Sequence, residues 1–380
     1  MPVLRPSGSD FTSFVKAAAQ YVPAGGGGKV SKSGGVSVSL PGLGAVVRTS
    51  QVGALASPMT SAVIINGITP PPSGASDPAA RVISYTSANA VATILAGNGT
   101  LSFNDASGIL AGFRYPNGVL ELPGGNIFVC DGGNNRIRIV TPAGVVTTLA
   151  GSAQGLADGT GTAANFYFPW HAARLSDGKI IVSDRYNDRL RLVTYPDGVV
   201  TTFAPGGGFT GPMQIAVLPN GNFVVCDSAG VIKYVTYPEG VVTTLATGFT
   251  YPQGIAVLPD GNMVVTEYDR GQIKLVTTST YAANSGVVTV FAGSNSSGPG
   301  LIDGTRTAAR FYNPTGLAVL PNGHIIVADQ GNQRIRLITY PEGVVTTLAT
   351  TNGNYVGVLS NGNIVIGETF GQTIRILSFT

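Results

Sequence analysis

The sequence predicts an all-β fold, a six-bladed β-propeller of four-stranded antiparallel blades. Three observations lead there. A unit of about 40 residues recurs, the period of a propeller blade. Each copy carries an acid at one position: Asp131, Asp184, Asp227, Glu267, Asp329 and Glu368. The composition is rich in glycine and poor in charge, with 53 Gly in 380 residues and 11% charged residues, against norms of roughly 7% and 25%. A surface with so few charges is covered by Ser, Thr, Asn, Gly and backbone, which suits short strands and tight turns and excludes a helix bundle.

Each element of the unit has its own reason. Five complete copies align: GVLELPGGNIFVCDGGNNRIRIVT (118–141), AARLSDGKIIVSDRYNDRLRLVT (172–194), IAVLPNGNFVVCDSAGVIKYVT (215–236), IAVLPDGNMVVTEYDRGQIKLVT (255–277) and LAVLPNGHIIVADQGNQRIRLIT (317–339). The first strand ends at an LPxG-like turn, where Pro presets φ and Gly accepts a positive one. The second strand alternates, as in NMVVTE, and the third is RIRLVT-like. A second turn follows at TPAG (141–144), YPDG (195–198), YPEG (237–240) and YPEG (340–343). The fourth strand is VVTTLA-like, apolar at every second position.

The sixth copy, VGVLSNGNIVIGETFGQTIRILS (356–378), stops after three strands. Its missing strand lies upstream, because AVATILAG (90–97) matches VVTTLAG (145–151). The N-terminal strand is therefore expected to complete the last blade, which closes the ring and removes two open sheet edges. RVISYT (81–86) also reads as a third strand, but TIRILS takes that place, so it is expected outside the ring. The domains expected are an arm over 1–80 and a propeller over 81–380.

These repeats resemble the NHL repeat family over about three quarters of the chain. The resemblance rests on the P-x-G-I-A-V-L-P-x-G opening, the ADxGNxRIR-like middle and a linker of the form LAG…DG…A.F..P. The linker occurs at 149–169 and 291–314, with a degenerate copy at 95–116. The resemblance implies the propeller fold. It leaves function open, because the family includes RNA binders, protein-interaction modules, lyases and extracellular receptor parts.

The marker acids have basic partners in the third strand. The pairs are Asp131 with Arg138, Asp184 with Arg191, Asp227 with Lys233, Glu267 with Lys274, Asp329 with Arg336 and Glu368 with Arg375. A pair in every blade is read as a structural bridge between adjacent strands. A ring of charges lining a site is the functional alternative. Cys130 and Cys226 precede the acid in two non-adjacent blades, where other blades hold Ser183, Thr266, Ala328 and Gly367. They are small core residues too far apart to bond.

Of the two histidines, His324 stands where other blades have a turn Asn, and His171 follows Trp170 near the expected mouth of the channel. Two histidines cannot supply a three-histidine metal site, and no metal or cofactor is expected. GGGGKVSKSGG (25–35) is a flexible linker, since a phosphate loop would need Gly at Pro23 and Ser or Thr at Val30. The sequons at Asn98 and Asn295 imply nothing by themselves. The net charge of +3 comes from residues 1–80, and the neutral body argues against nucleic acid. No apolar run is long enough for a membrane span. The start has no apolar stretch of signal-peptide length, so synthesis in the cytoplasm is expected.

By strand order the LPxG and (Y/T)PxG turns share one face. The other carries the long linkers and the second-to-third loops. Its variable content includes Trp170, His171, Arg185, Tyr186, Tyr268, Arg270 and Phe370, residue types favoured as interface anchors. Ordinary solvated loops are the alternative. In the arm, Ser9 or Asp10 caps a helix over about 10–22, with Phe11, Phe14, Val15 and Val22 on one face. So little charge suits an arm buried against something else. The opening LRPSGSDFTSFVKAAAQY resembles N-terminal segments of structural proteins from large DNA viruses.

The reading is a non-enzymatic structural or protein-interaction module, held by its arm in a larger assembly such as a virion, with other proteins or further copies of itself as partners. The alternative is a propeller enzyme of lyase or lactonase type with a channel site near His171.

Overall fold

Each repeat folds as four antiparallel strands in chain order, and six such sheets make the propeller the sequence predicts. In the computed structural model the described residues are 83–294 and 298–379, with the backbone of two short strands at Ser37–Ser39 and Val46–Arg48. By contacts the chain divides into Met1–Arg81 and Val82–Thr380. In the first unit the two short strands pair antiparallel, Val38 opposite Val47. The helix expected over 10–22 and its stripe of Phe11, Phe14, Val15 and Val22 lie outside the described residues, as does the Gly-rich linker.

Blade 1 consists of Pro116–Glu121, Ile127–Asp131, Arg136–Val140 and Val146–Ala150. Blades 2 to 5 repeat this order, opening at Pro169, Pro212, Pro252 and Pro314. The second strand of every blade is buried along its whole length. The alternation expected of it is therefore not one of burial: its side chains meet the neighbouring blades on both sides, so both faces are buried. Six apolar clusters result, one at each contact between neighbouring blades. Phe128 and Ile180 fill the cluster between blades 1 and 2, and Phe311 and Ile325 that between blades 4 and 5.

Turn chemistry holds the uniform face together. In LPNG (218–221) the Gly221 N–H donates to the Leu218 carbonyl at 2.9 Å, with Gly221 at φ +85°. A side chain there would be strained, so glycine is required. The Tyr195–Pro196, Tyr237–Pro238 and Tyr340–Pro341 bonds of the second turns are cis.

Blade 6 is closed across the termini. Tyr355–Val358, Ile364–Glu368 and Thr373–Phe379 are followed in the sheet by Ala90–Ala96, with Leu377 opposite Ala92 and Ser378 opposite Val91. Residues 83–86 form no strand. Tyr85 instead donates to the Gly362 carbonyl at 3.1 Å and meets the Phe379 ring edge-on at 4.8 Å.

The linkers are part of the blades. Gly159–Thr160 adds a fifth strand to blade 2 and Gly304–Thr305 one to blade 5. In blade 1 the same place holds a single bridge, Ser107 to Val145.

Closure by Ala90–Ala96 has a measurable consequence. A chain starting at residue 98 is expected to melt well below one starting at residue 83, because its last blade keeps a bare edge. Equal melting temperatures for the two truncations would show that the N-terminal strand does not lock the ring.

Candidate functional site

The loops are positioned by the marker acids. Asp131 accepts the Arg114 N–H at 2.8 Å, the Asn134 amide at 2.9 Å and the Arg138 guanidinium at 2.7 Å. Asp184 and Asp329 repeat this with Tyr167, Asn187 and Arg191, and with Tyr312, Asn332 and Arg336. One carboxylate thus ties the incoming linker, the second-to-third loop and the third strand together. Burial pushes Asp131 up to about 6, with Arg138 and Asn134 pulling against it.

Five of the six expected pairs are in contact, at 2.6–2.9 Å. Asp227 and Lys233 are the correction, because no ion pair joins them. Lys233 bonds the Thr244 hydroxyl at 3.1 Å, and Asp227 takes the backbone N–H groups of Thr210 and Ala229 instead. A loop that answers the acid by itself leaves the lysine to bond the fourth strand of its own blade.

Sequence reasoning missed the second acid on the arginines. Asp105, Asp158 and Asp303 lie in the linkers before blades 1, 2 and 5. Each takes the far end of a buried arginine, Arg138 at 2.5 Å, Arg191 at 2.7 Å and Arg336 at 2.7 Å. Burial opposes the charged form of Asp158 and Asp303, but the bonds from Thr202 and Thr347 and from the arginines hold both below the usual carboxylate range. The signal was present: a linker with an Asp eight residues before a Phe precedes each of the three blades with a fully buried Arg.

The first strands of neighbouring blades pack side by side around the axis, and the channel they line is filled. One slot decides this. It is Gly118, Gly254 and Gly316 in three blades and His171, Gln214 and Tyr355 in the other three. A Cβ on Gly118 would stand 2.6 Å from the His171 Cα, and one on Gly316 would stand 2.6 Å from the Tyr355 ring. A Cβ on Gly254 would stand 3.1 Å from the Gln214 amide oxygen. Small residues in three blades therefore make room for large ones in the others. The Gln214 amide spans the channel, donating to the Leu317 carbonyl at 2.8 Å and accepting its N–H at 3.3 Å.

His171 belongs to this plug and is not on the open face. It is 7% exposed, lies 5.7 Å from the Tyr355 ring and accepts the Ile215 N–H on Nδ1 at 3.3 Å. Burial pushes its imidazole down to about 3, so it is neutral. Among the described residues no three His, Cys, Asp or Glu gather as metal ligands would. Both cysteine thiols are buried and pushed up by burial.

Above the plug an aromatic cluster opens to the loop-rich face. Trp170 donates its indole N–H to the Tyr355 hydroxyl and meets Phe168 at 5.7 Å. The Arg185 guanidinium lies 4.0 Å over the Trp170 ring and donates to the Tyr251 hydroxyl at 2.5 Å. Tyr186 meets Phe168 at a tilt and Tyr167 edge-on and stays half exposed. Tyr251 links this group to Tyr268 at 5.9 Å. Tyr268, Tyr312 and Phe370 then line a depression of about 490 Å³ with Gln330 and Asn313. Phe370 is exposed. Arg270 stands apart, bonded to the Thr250 hydroxyl at 2.7 Å. The structure so joins Trp170, Arg185, Tyr186 and Tyr268 and leaves Arg270 aside. Tyr251, Tyr312 and Phe168 had no signal beyond lying next to the first strands.

The repeats, the ring and the filled axis define an NHL-type propeller. A family model of the Teneurin NHL domain matches residues 104–339, and the chain belongs to that family. No curated protein matches the sequence. Among solved structures it is similar to a protein of unknown function from Bacteroides thetaiotaomicron, at 16% identity and TM-score 0.63, with 77% of this chain and 76% of that one covered. An auxiliary nutrient binding protein from Bacteroides ovatus matches at 16% identity and TM-score 0.62, over 76% of each chain. A gluconolactonase from Xanthomonas campestris matches at 12% identity and TM-score 0.56, over 78% of this chain and 92% of that one. At these identities the likeness is one of fold.

The neutral buried imidazole of His171 sets a pH dependence. Its folded pKa lies below the unfolded value of about 6.5, so the unfolded chain binds more protons between the two. Stability contributed by the neutral ring is present above about 6.5 and is lost as pH falls, by roughly 2 kcal/mol near pH 5. His171→Gln should flatten the wild-type loss of stability between about pH 7 and 5 in urea unfolding. Identical pH slopes would show that His171 is not held neutral.

Proposed function

We propose that this chain is a non-enzymatic protein-interaction module that docks its partner on the loop-rich face. The observation that carries the reading is the division of labour along the axis. Its interior is filled by His171, Gln214 and Tyr355, while Trp170, Arg185, Tyr186, Tyr268 and Phe370 gather at the open end. Aromatic rings and an arginine held over an indole bind by stacking and desolvation, and such residues dominate protein interfaces. The neutral body gives no attraction for a nucleic-acid backbone. In this reading the arm over 1–80 anchors the propeller in a larger assembly. The resemblance of its opening segment supports a virion as that assembly.

The lyase or lactonase reading would use His171, whose imidazole is buried beneath Tyr355 and engaged by the Ile215 N–H.

Tyr186→Ser combined with Phe370→Ser removes a half-exposed and an exposed ring, so the fold should persist, with a loss of about 1–2 kcal/mol from the ring contacts of Tyr186. Co-purification of the partner polypeptide with the tagged full chain from its native source should be lost. A partner retained by the double variant would overturn the face assignment. Lactone or streptogramin turnover abolished by His171→Ala would replace the reading with the enzyme one.

A further inference from the structure

Blades 1, 2 and 5 share an arrangement that blade 6 only half completes. In the three, an arginine with no solvent exposure is forked between its marker acid and the linker acid. The linker acid also accepts a backbone N–H and a hydroxyl from Thr148, Thr202 or Thr347 of the fourth strand. A phenylalanine of the same linker, Phe113, Phe166 or Phe311, lies about 5 Å from the guanidinium. Acid and ring are always eight residues apart: Asp105 and Phe113, Asp158 and Phe166, Asp303 and Phe311.

Blade 6 has the arginine without the linker. Arg375 stands opposite Ile94 in the register that sets Arg138 opposite Thr148. Only residues 351–354 join blade 5 to blade 6, where 97–115 lead into blade 1. Residues 350–354, TTNGN, hold no aromatic ring. Arg375 donates from Nε to Glu368 at 2.7 Å, and among the described residues its two terminal NH₂ groups meet no acceptor. Its side chain is 28% exposed, against none for the other three arginines. The vacated space is an open cleft of about 530 Å³, walled by Ile94, Ile109, Thr350, Glu368 and Arg375. Blades 3 and 4, which also lack such a linker, carry Lys233 and Lys274 instead, whose ammonium groups find partners in their own blades and, for Lys274, at the Gly248 carbonyl of the short connection before its blade.

We propose that this cleft is a docking slot for an acidic peptide segment of a different polypeptide, which presents an aspartate to Arg375 and a phenylalanine beside it, spaced as in the chain's own linkers. The free edge of the guanidinium matches a carboxylate bidentately. The exposed Ile94 and Ile109 favour a peptide over a bare anion, and the Glu368 carboxylate bonded to Arg375 opposes a dianion. A second copy of this chain is a poor donor, because its three linkers already occupy their own blades. The slot adjoins the loop-rich face and shares Gln333 and Asn352 with the depression beside Phe370, so substitutions at Arg375 and Ile109, which do not line that depression, are the ones that test it.

The probe is a synthetic peptide with the sequence of residues 154–167, QGLADGTGTAANFY, titrated into the full-length chain by fluorescence anisotropy. Saturable binding below about 1 mM is expected, weakened at least roughly tenfold by Asp158→Asn in the peptide or Arg375→Met in the protein. Ile109→Asp, at an exposed position, should weaken it too and guards against a fold defect in the first variant. No binding at about 1 mM, or binding indifferent to Arg375 and Ile109, overturns the proposal. Binding of inorganic phosphate but not peptide, dependent on Arg375, also overturns it and makes the cleft a simple anion site.

Discussion

An acid with almost no access to solvent ends the second strand of every blade, and its polar atoms must be answered at hydrogen-bonding distance. Leaving such a charge unpaired costs roughly 3–5 kcal/mol, although the pair itself adds little over an apolar core. Its value is therefore geometric. Asp131 holds the Arg114 N–H, the Asn134 amide and Arg138 at once. The linker cannot shift without unpairing the acid, and neither can the loop or the third strand. The same acid thereby fixes where the loop-rich face begins, since Arg185 and Tyr186 directly follow Asp184.

This accounts for what could be read in the sequence. Repetition of the acid, the two turns and the alternating strands defined the blades. The unmatched third strand TIRILS gave the closure by residues 90–97, which the register confirms. Features that repeat in only some blades were harder. The linker acids gave no sign of their partners, which are about 33 residues away and are brought to them only by folding. Asp227 and Lys233 were paired by analogy, yet the Ala229 N–H answers that acid from two residues away. A periodic pattern predicts the average blade and misses a local bond that makes one member unnecessary.

The axis was illegible for a related reason. Gly118, Gly254 and Gly316 read as members of a P-x-G motif, and His171, Gln214 and Tyr355 as departures from it. Packing reverses the emphasis. Six equal side chains could not share the narrow axis, while six glycines would leave it hollow. Three large and three absent side chains fill it, and each large one lies against a glycine. His171 is thus explained by volume, and Tyr355, which looked like nothing in the sequence, becomes the support on which Trp170 rests.

The blades then sort into two kinds, and the sorting has a physical basis. Where a linker carrying the second acid enters, the third strand carries an arginine, whose planar fork can serve two carboxylates. In blades 3 and 4, where none enters, it carries a lysine, whose ammonium needs fewer acceptors and can swing to a neighbour. Linkers cover the edges of blades 1, 2 and 5, and at blade 3 the backbone N–H groups of Asn284 and Gly286 bond the fourth strand instead. Blade 6 breaks the correlation by keeping an arginine without a linker. It is also the blade sewn from both ends of the ring, where a long insertion would have had to pass the closing strand. The exposed Val91 and Ile94 of that strand lie where a linker packs in blades 1, 2 and 5. The seam is therefore an uncovered stretch of the periphery, and it is there that the fold keeps both a half-answered guanidinium and an apolar wall.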